Sequence, residues 1–327
     1  MSRKCYAIAD FLTESNKKDM SEAAEAGGFE IEFFDTPAEA DGKVSDAEVV
    51  YSGQDADILK QMPGLKWCHT AFAGIGAYSA SGLFDSGDIV LTNSSGAYGR
   101  AIGEHIIMVT LLLMRQMPKY NTLMAARGWS RTYPIRSIAD STVAIIGTGN
   151  IGSNTAVKFK ALGAKKVIGF NRSGGSSEDF DEVYKFTEFD SMFRDKVFAE
   201  SVDVLVLCVP GTTESEGMLN KDRIAMLSEK TYIVNVGRGT AIDQEALIEA
   251  LNYDKIAGAA LDVTYPEPLP PEHPLWTAKN TIITPHISGD MGLQYTVDKT
   301  VEFFCENLKK YSNGERLIKQ ADIEKGY

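Results

Sequence analysis

Long apolar runs are missing from this chain of 327 residues. Its longest strongly apolar stretch, 106–114, is far shorter than the ~18–20 residues that a membrane-spanning helix requires. Near the start, Arg3 and Lys4 precede an apolar segment, 5–9, that is too short for the core of a secretion signal and meets Asp10 at once. The sequence therefore predicts a protein without a membrane span and without a secretion signal.

Cysteine is scarce, and the four cysteines lie far apart: Cys5, Cys68, Cys208 and Cys305. They form no Cys-x-x-Cys pair and show no ligand-like spacing to histidine, which argues against a metal site and against disulfides. Cys208 lies within an apolar run, 204–209, where a small buried side chain is the simplest interpretation. Reduced thiols are typical of the cytoplasm, which is the location that we expect.

Basic residues are too few to balance the acidic ones. The chain has 33 lysines and arginines against 45 aspartates and glutamates, which gives a net charge of −12. Because nucleic acids and anionic membranes favour basic patches, this balance disfavours both as the main partner. An anionic small molecule would be repelled by the overall field, so its binding requires a local arginine.

A glycine-rich turn is the most informative feature that the sequence does contain. The apolar segment 142–146 runs directly into a Gly-x-Gly-x-x-Gly pattern at 147–152, which is followed by a helix-like segment. In this context the glycines permit a tight turn, close approach of a pyrophosphate, and packing of helix on strand. The N–H groups at the start of the helix favour an anion. We therefore assign cofactor binding to Gly147, Gly149, Asn150, Ile151 and Gly152.

The length and the order of elements predict two domains. Short strands and helices alternate over the first hundred residues, which favours a parallel sheet. A helical periodicity over 98–123 leads into a Rossmann-type series of strands and helices over 142–284. The last forty residues hold an amphipathic helix and no strand for the second domain, so they could return to the first.

We therefore predict an α/β protein with two Rossmann-like or flavodoxin-like domains. Each would contain a doubly wound parallel sheet, and the active site would lie in the cleft between them. Residues 1–97 and 288–327 are predicted to form a discontinuous substrate-binding domain, and residues 98–287 the dinucleotide-binding domain.

The end of the second Rossmann strand normally distinguishes NAD from NADP. A carboxylate at this position accepts a hydrogen bond from the free ribose 2′-OH of NAD. This chain has Asn171, Arg172 and Ser173 there instead. Arginine pairs with a 2′-phosphate, and the two neutral side chains can donate hydrogen bonds to it. The sequence predicts a preference for NADP(H), with NAD(H) possible; alternatively, Arg172 is a solvated residue beside a flexible loop, 174–177.

Three polar residues that suit ketone reduction follow predicted strands: Arg238, Glu267 and His286. Loops at the carboxyl ends of parallel strands line the ligand crevice, so the three side chains could converge. The guanidinium can hold a substrate carboxylate and polarise its carbonyl group. His286 can protonate the developing alkoxide, and Glu267 can stabilise the imidazolium.

The sequence motifs around these residues resemble those of the D-isomer-specific 2-hydroxyacid dehydrogenase family, and the resemblance covers most of the chain. Beside the glycine pattern, they lie at 97–105, 236–243, 260–263, 266–269, 273–276 and 284–289. The resemblance implies that Arg238, Glu267 and His286 are the catalytic trio, with His286 as the acid–base residue and Glu267 as its partner. It also implies that backbone N–H groups of Ala73 and Gly74, together with Arg238, bind the substrate carboxylate.

Further cofactor contacts follow from the same resemblance. It places Asp262 near the nicotinamide carboxamide, although Asp262 could equally cap a strand end. Family members often have threonine where this chain has Ser215, which keeps the hydroxyl group. Many members that use NAD carry aspartate near Asn171 and Arg172, so this departure puts NAD in doubt but not the mechanism. The implied contacts are Val209, Pro210, Ser215, Val236, Gly237, Asp262, Ser288 and Gly289.

Together these features predict an oxidoreductase that reduces a 2-oxoacid to a D-2-hydroxy acid by hydride transfer from NADPH, with His286 as proton donor. Within the family, the chain resembles the NADP-preferring glyoxylate, hydroxypyruvate or 2-oxoacid reductases. A homodimer is expected from the family. Two alternatives are an NAD-dependent dehydrogenase of another substrate on the same scaffold and a dinucleotide-binding, corepressor-like interaction protein. We interpret His69 and His105 as structural residues.

Overall fold

A computed structural model describes residues 3–53 and 56–323. The strands are β1 (Arg3–Ile8), β2 (Phe29–Phe34), β3 (Ala47–Ser52), β4 (Trp67–Thr70), β5 (Val90–Thr92), β6 (Thr142–Ile146), β7 (Lys166–Asn171), β8 (Glu182–Lys185), β9 (Val202–Leu207), β10 (Tyr232–Asn235), β11 (Gly258–Leu261) and β12 (Thr281–Ile283). The helices are α1 (Glu14–Ala26), α2 (Pro37–Ala40), α3 (Gly76–Ser79), α4 (Gly99–Met114), α5 (Met117–Ala125), α6 (Asn150–Ala161), α7 (Phe189–Arg194), α8 (Lys196–Ser201), α9 (Lys221–Met226), α10 (Gln244–Asn252) and α11 (Gln294–Ser312).

The chain forms two compact units, one of Met1–Tyr98 with Met291–Tyr327 and one of Gly99–Asp290. In the first unit, five parallel strands follow the order β2-β1-β3-β4-β5, which is the flavodoxin-like order. In the second, seven parallel strands follow the order β8-β7-β6-β9-β10-β11-β12. This is the dinucleotide-binding order with one added edge strand. The predicted α/β class with two doubly wound parallel sheets is confirmed.

Two of the predicted domain boundaries differ from those of the compact units. Tyr98 lies in the first unit, where its hydroxyl donates to the carbonyl oxygen of Ala71 at 2.7 Å. Residues 288–290 lie in the second unit, where the Ser288 N–H donates to the Asp262 carboxylate at 2.9 Å. The outermost residues of the prediction, 1–2 and 324–327, lie outside the described residues.

The C-terminal segment belongs to the first unit because it pairs with elements there. Helix α11 packs against α1, and the Asn16 side chain donates to Asp298 at 2.8 Å. Beyond α11, Gln320 forms an antiparallel bridge with Thr92 of β5. None of the helices in the part of the chain that the structure describes has the length and the apolar character of a membrane span.

Two elements of the second unit differ from the prediction. The long helix predicted over 98–123 is broken, because Gln116 adopts a left-handed φ of 57° between α4 and α5. Pro118 in the first turn of α5 has no N–H to continue the α4 hydrogen-bond ladder. Strand β8 was not predicted, since it is a short edge strand of mixed polarity that is nowhere fully buried. By contrast, all five residues of the central strand β6 are buried, as parallel strands covered on both faces require.

Candidate active site

Each of the three glycines in the turn after β6 and the first turn of α6 is needed for a different physical reason. Gly147 has a φ of 101°, and a Cβ there would lie 2.7 Å from the carbonyl oxygen of Cys208. A Cβ on Gly152 would overlap the carbonyl oxygen of Gly147, so only glycine lets α6 approach the turn. A Cβ on Gly149 would meet no described atom within 4 Å, which leaves its backbone open to a ligand.

The start of α6 suits a diphosphate. Gly149 is the N-cap residue, and no side chain of the described residues forms a capping hydrogen bond there. Asn150 and Ile151 open the helix, so their backbone N–H groups lie where orphan donors and the positive end of the helix dipole favour an anion. The turn and the helix start therefore fit a dinucleotide.

The residues predicted to select NADP lie at the carboxyl end of β7. The Asn171 amide donates to the Thr148 hydroxyl at 2.8 Å, and its oxygen accepts from the Gly174 N–H at 2.6 Å. Asn171 therefore organises the turn that presents Arg172 and Ser173, which are both exposed. Arg172 also forms an ion pair that the sequence reasoning did not foresee, since its Nη2 lies 2.5 Å from Oε2 of Glu214.

The loop after β9 carries Glu214 and three predicted cofactor residues, Val209, Pro210 and Ser215. The buried Ser215 hydroxyl donates to the Pro210 carbonyl oxygen at 2.6 Å and accepts from the Thr212 N–H at 2.9 Å. These bonds close the loop upon itself. The hydroxyl group thus shapes the loop, and its contact with a cofactor stays a prediction.

The predicted catalytic residues follow three neighbouring strands of the second sheet. Arg238, Glu267 and His286 lie after β10, β11 and β12, respectively. Nδ1 of His286 lies 2.9 Å from Oε2 of Glu267, and Oε1 of Glu267 accepts from the Thr264 N–H at 2.8 Å. Because the carboxylate can only accept when ionised, Nδ1 carries the proton of this bond. Nε2 of His286 is then left to exchange a proton with a substrate.

Hydrogen bonds within its own loop fix the backbone of Arg238. The Asn235 side chain donates to the Arg238 carbonyl oxygen at 2.9 Å and accepts from the Gly237 N–H at 3.0 Å. A Cβ on Gly239 would overlap the backbone of Thr264, so glycine lets the Arg238 loop pack against the Glu267 loop. Burial lowers the pKa of Arg238 and the Glu267 charge raises it in part. The guanidinium remains a cation at neutral pH.

Asp262 organises the turn that carries His286. His286 adopts a left-handed φ of 55°, which is uncommon for residues other than glycine. The Asp262 carboxylate accepts from the Thr284 hydroxyl at 2.6 Å and from the N–H groups of Ile287 and Ser288 at 2.9 Å each. Burial alone would raise the pKa of Asp262, but the bonds from Ser288 and Thr284 lower it overall. The carboxylate therefore stays ionised and fixes the turn.

His105 supports the same turn from α4. Its Nε2 lies 3.3 Å from the Thr284 hydroxyl, which itself donates to Asp262, so Nε2 is the donor in this contact. Burial lowers the pKa of His105, and the Asp262 charge opposes this in part.

Two threonines of the site, Thr264 and Thr284, are not among the site residues that the sequence predicts. Each lies after the end of a strand and shortly before a catalytic residue, and this position is the sequence feature that could have identified them.

The first unit holds the predicted substrate loop and His69. Ala73 and the exposed Gly74 follow β4, and the Asn93 amide donates to the Ala73 carbonyl oxygen at 3.1 Å. The His69 ring is fully buried between the hydroxyl groups of Thr92, at 2.7 Å, and Ser94, at 3.1 Å. Burial lowers the pKa of His69 to about 3. Both ring nitrogens of His69 thus have partners within the first unit, as expected of a structural histidine.

Comparisons with known proteins identify the family of this chain. Residues 107–288 match the model of the D-isomer specific 2-hydroxyacid dehydrogenase, NAD binding domain. A glyoxylate/hydroxypyruvate reductase A from Klebsiella pneumoniae is 29% identical over 229 residues, which cover 70% of each chain. A crystal structure of a D-isomer specific 2-hydroxyacid dehydrogenase family protein from Aeromonas salmonicida is similar with a TM-score of 0.85 and 28% identity, over 99% of this chain and 100% of that one.

A second similar structure was solved with a bound cofactor. It is an NADPH-dependent glyoxylate/hydroxypyruvate reductase from Sinorhizobium meliloti in complex with NADP and sulfate, similar with a TM-score of 0.79 and 27% identity over 99% of this chain and 100% of that one. The fold, the glycine turn and the family match together define an oxidoreductase scaffold with a nicotinamide dinucleotide site. The chain belongs to the D-isomer specific 2-hydroxyacid dehydrogenase family.

Proposed function

We propose that this protein reduces a small 2-oxoacid to the D-2-hydroxy acid and prefers NADPH over NADH. The observation that carries the proposal is the His286–Glu267 pair at 2.9 Å, with the Arg238 loop packed against the Glu267 loop, at the carboxyl edge of a dinucleotide-binding sheet. An imidazole, its carboxylate partner and a guanidinium are the groups that ketone reduction next to a carboxylate requires. The similarity to glyoxylate/hydroxypyruvate reductases supports this substrate class.

When bound, the reduced nicotinamide supplies a hydride to the carbonyl carbon. Arg238 holds the substrate carboxylate and polarises the carbonyl group, and the resemblance adds backbone N–H groups of Ala73 and Gly74 for the same carboxylate. Nε2 of His286 gives its proton to the carbonyl oxygen as negative charge develops there. Glu267 accepts from Nδ1 and thereby orients the ring and stabilises its protonated form.

The cofactor would be held by three groups of residues. The glycine turn and the start of α6 bind the diphosphate, and Asn171, Arg172 and Ser173 bind the 2′-phosphate. The remaining contacts that we propose are Val209, Pro210, Ser215, Val236, Gly237, Asp262, Ser288 and Gly289.

We also propose that the enzyme is located in the cytoplasm. Fluorescence microscopy of the tagged protein in its own cells tests this location.

Initial rates with NADPH and NADH against a panel of 2-oxoacids test the function. The panel runs from glyoxylate and hydroxypyruvate through pyruvate to branched-chain acids, and chiral chromatography identifies the product. We expect turnover with NADPH and a product of D configuration. Faster turnover with NADH would overturn the cofactor preference alone, whereas no turnover with either cofactor would overturn the enzyme proposal and favour an interaction protein.

Replacing Glu267 with glutamine should lower kcat for 2-oxoacid reduction. The two carboxylate oxygens accept from Nδ1 of His286 and from the Thr264 N–H, and an amide has only one oxygen, so the variant loses one of these bonds and the negative charge beside the ring. A hydrogen bond to a charged group contributes about 1.5–3 kcal/mol, so we expect a loss of about 10- to 100-fold in kcat. Glu272→Gln in the same exposed loop is the matched control. A kcat equal to that of the parent enzyme would remove Glu267 from this role.

We also propose that the protein is a homodimer. The exposed side of α4 and α6 carries Met108 and Leu162, and the hollow beside them is lined by Glu104 and Lys158, which have opposite charges. A twofold interface brings one patch against its own copy, so Glu104 of one protomer can pair with Lys158 of its partner. Light scattering should therefore give twice the chain mass of 35.7 kDa. A monomer at working concentration would contradict the proposal.

A further inference from the structure

The ion pair between Arg172 and Glu214 brings a carboxylate to the proposed nucleotide site from the loop after β9, and not from the end of β7. At the end of β7, where NAD-binding proteins carry a carboxylate, this chain has none. Glu214 instead reaches Arg172 from the loop after β9, with Oε2 at 2.5 Å from Nη2. In the sheet order, β7 and β9 flank β6 on opposite sides, so the two loops straddle the glycine turn that follows β6.

Glu214 has a restricted position in its loop. The next residue, Ser215, is buried and bonds both to the Pro210 carbonyl oxygen and to the Thr212 N–H. These bonds close the loop on either side of Glu214, whose carboxylate is the part that faces solvent and Arg172. The acid is therefore presented to the guanidinium by a shaped loop.

We propose that Glu214 determines how strongly the enzyme prefers NADPH over NADH. Its carboxylate occupies the guanidinium that a 2′-phosphate would use, so the phosphate must displace it or bind beside it. The inference rests on the proposed function, which assigns the 2′-phosphate to Arg172.

Electrostatics gives the sign of the effect. A 2′-phosphate carries between one and two negative charges and is repelled by a carboxylate on the same arginine. The 2′-OH of NADH is neutral and can donate a hydrogen bond to a carboxylate. Glu214 therefore weakens NADPH binding and either leaves NADH binding unchanged or strengthens it. Because both side chains are about two-thirds exposed, at 65% and 67%, solvent and salt limit the effect.

The test measures cofactor affinity directly, by the fluorescence of NADPH and NADH titrated into the full-length protein without substrate. In Glu214→Gln, we expect the Kd of NADPH to fall about three- to tenfold and the Kd of NADH to stay the same or rise. The gain should shrink as salt is raised. Glu216→Gln makes the same charge change at an exposed site in the same loop and should leave the ratio of the two Kd values nearly unchanged.

An unchanged NADPH affinity in Glu214→Gln overturns the inference, and so does an equal gain in Glu216→Gln, which would reveal a general charge effect. Arg172→Ala separates this failure from failure of the cofactor proposal. If Arg172→Ala loses NADPH affinity while Glu214→Gln changes nothing, only the role of Glu214 is wrong. If Arg172→Ala leaves the ratio of the two Kd values unchanged, the 2′-phosphate assignment and the inference are both wrong. NADH binding reports in each variant that the site is folded.

Discussion

Replacing His286 with asparagine should lower kcat for 2-oxoacid reduction by about two to four orders of magnitude, the range that a general acid contributes. Asparagine cannot give a proton to the developing alkoxide at neutral pH. It is nevertheless among the residues that tolerate the left-handed backbone, and His286 has a φ of 55°. The substitution therefore removes the acid and leaves the turn held by Asp262 intact.

Cofactor affinity separates a chemical defect from a structural one. The Kd of NADPH should stay within about twofold of the parent value, because the substitution removes an interaction made in the transition state. Single-turnover measurement of NADPH oxidation gives the chemical step itself. His273→Asn, in a proline-rich loop outside the trio, is the control and should keep nearly full activity. Turnover that survives in His286→Asn would mean that another group supplies the proton.

Those features of the fold that depend on backbone contacts alone can be predicted from the sequence. The glycine pattern requires close approaches that only glycine permits, and the structure contains them at Gly147 and Gly152, whereas the backbone at Gly149 is left open. The strands of the second sheet were recognisable because buried parallel strands are continuously apolar. The sequence did not predict strand β8 or the break at Gln116, because no apolar run marks the first and no glycine marks the second. The first is a half-exposed edge, and the second depends on a left-handed residue whose type does not favour it.

Side-chain partners were harder to predict than the residues they serve. Arg238, Glu267 and His286 were selected because each follows a strand, and neighbouring parallel strands end at one edge. The bond between Glu267 and the Thr264 N–H depends on the local path of the loop, which no periodic pattern encodes. Glu214 reaches Arg172 across the sheet order, between residues far apart in the chain. Such long-range pairs follow from topology, so they could be found only once the strand order was known.

Replacing Arg238 with lysine should lower kcat/KM for 2-oxoacids by about 10²-fold, although the positive charge is kept. Lysine lacks the planar fork that binds a carboxylate through two parallel hydrogen bonds. A hydrogen bond to a charged group contributes about 1.5–3 kcal/mol, and about 1.4 kcal/mol corresponds to a factor of ten. Loss of one such bond therefore accounts for the expected effect, and Arg238→Met, which loses the charge as well, should be more severe.

A substrate without a carboxylate provides the decisive control for Arg238. The methyl ester of pyruvate keeps the carbonyl group and loses the charge, so it should be a poor substrate of the parent enzyme. Its kcat/KM should be much less sensitive to Arg238→Lys than that of pyruvate, because the lost hydrogen bond was made to the carboxylate. Equal sensitivity of the two substrates would place Arg238 on the carbonyl oxygen or in the structure of the loop. The Arg238 guanidinium is half-buried and donates from Nη1 to the Gly237 carbonyl oxygen at 2.7 Å, and its other N–H groups can form the two parallel bonds to a carboxylate.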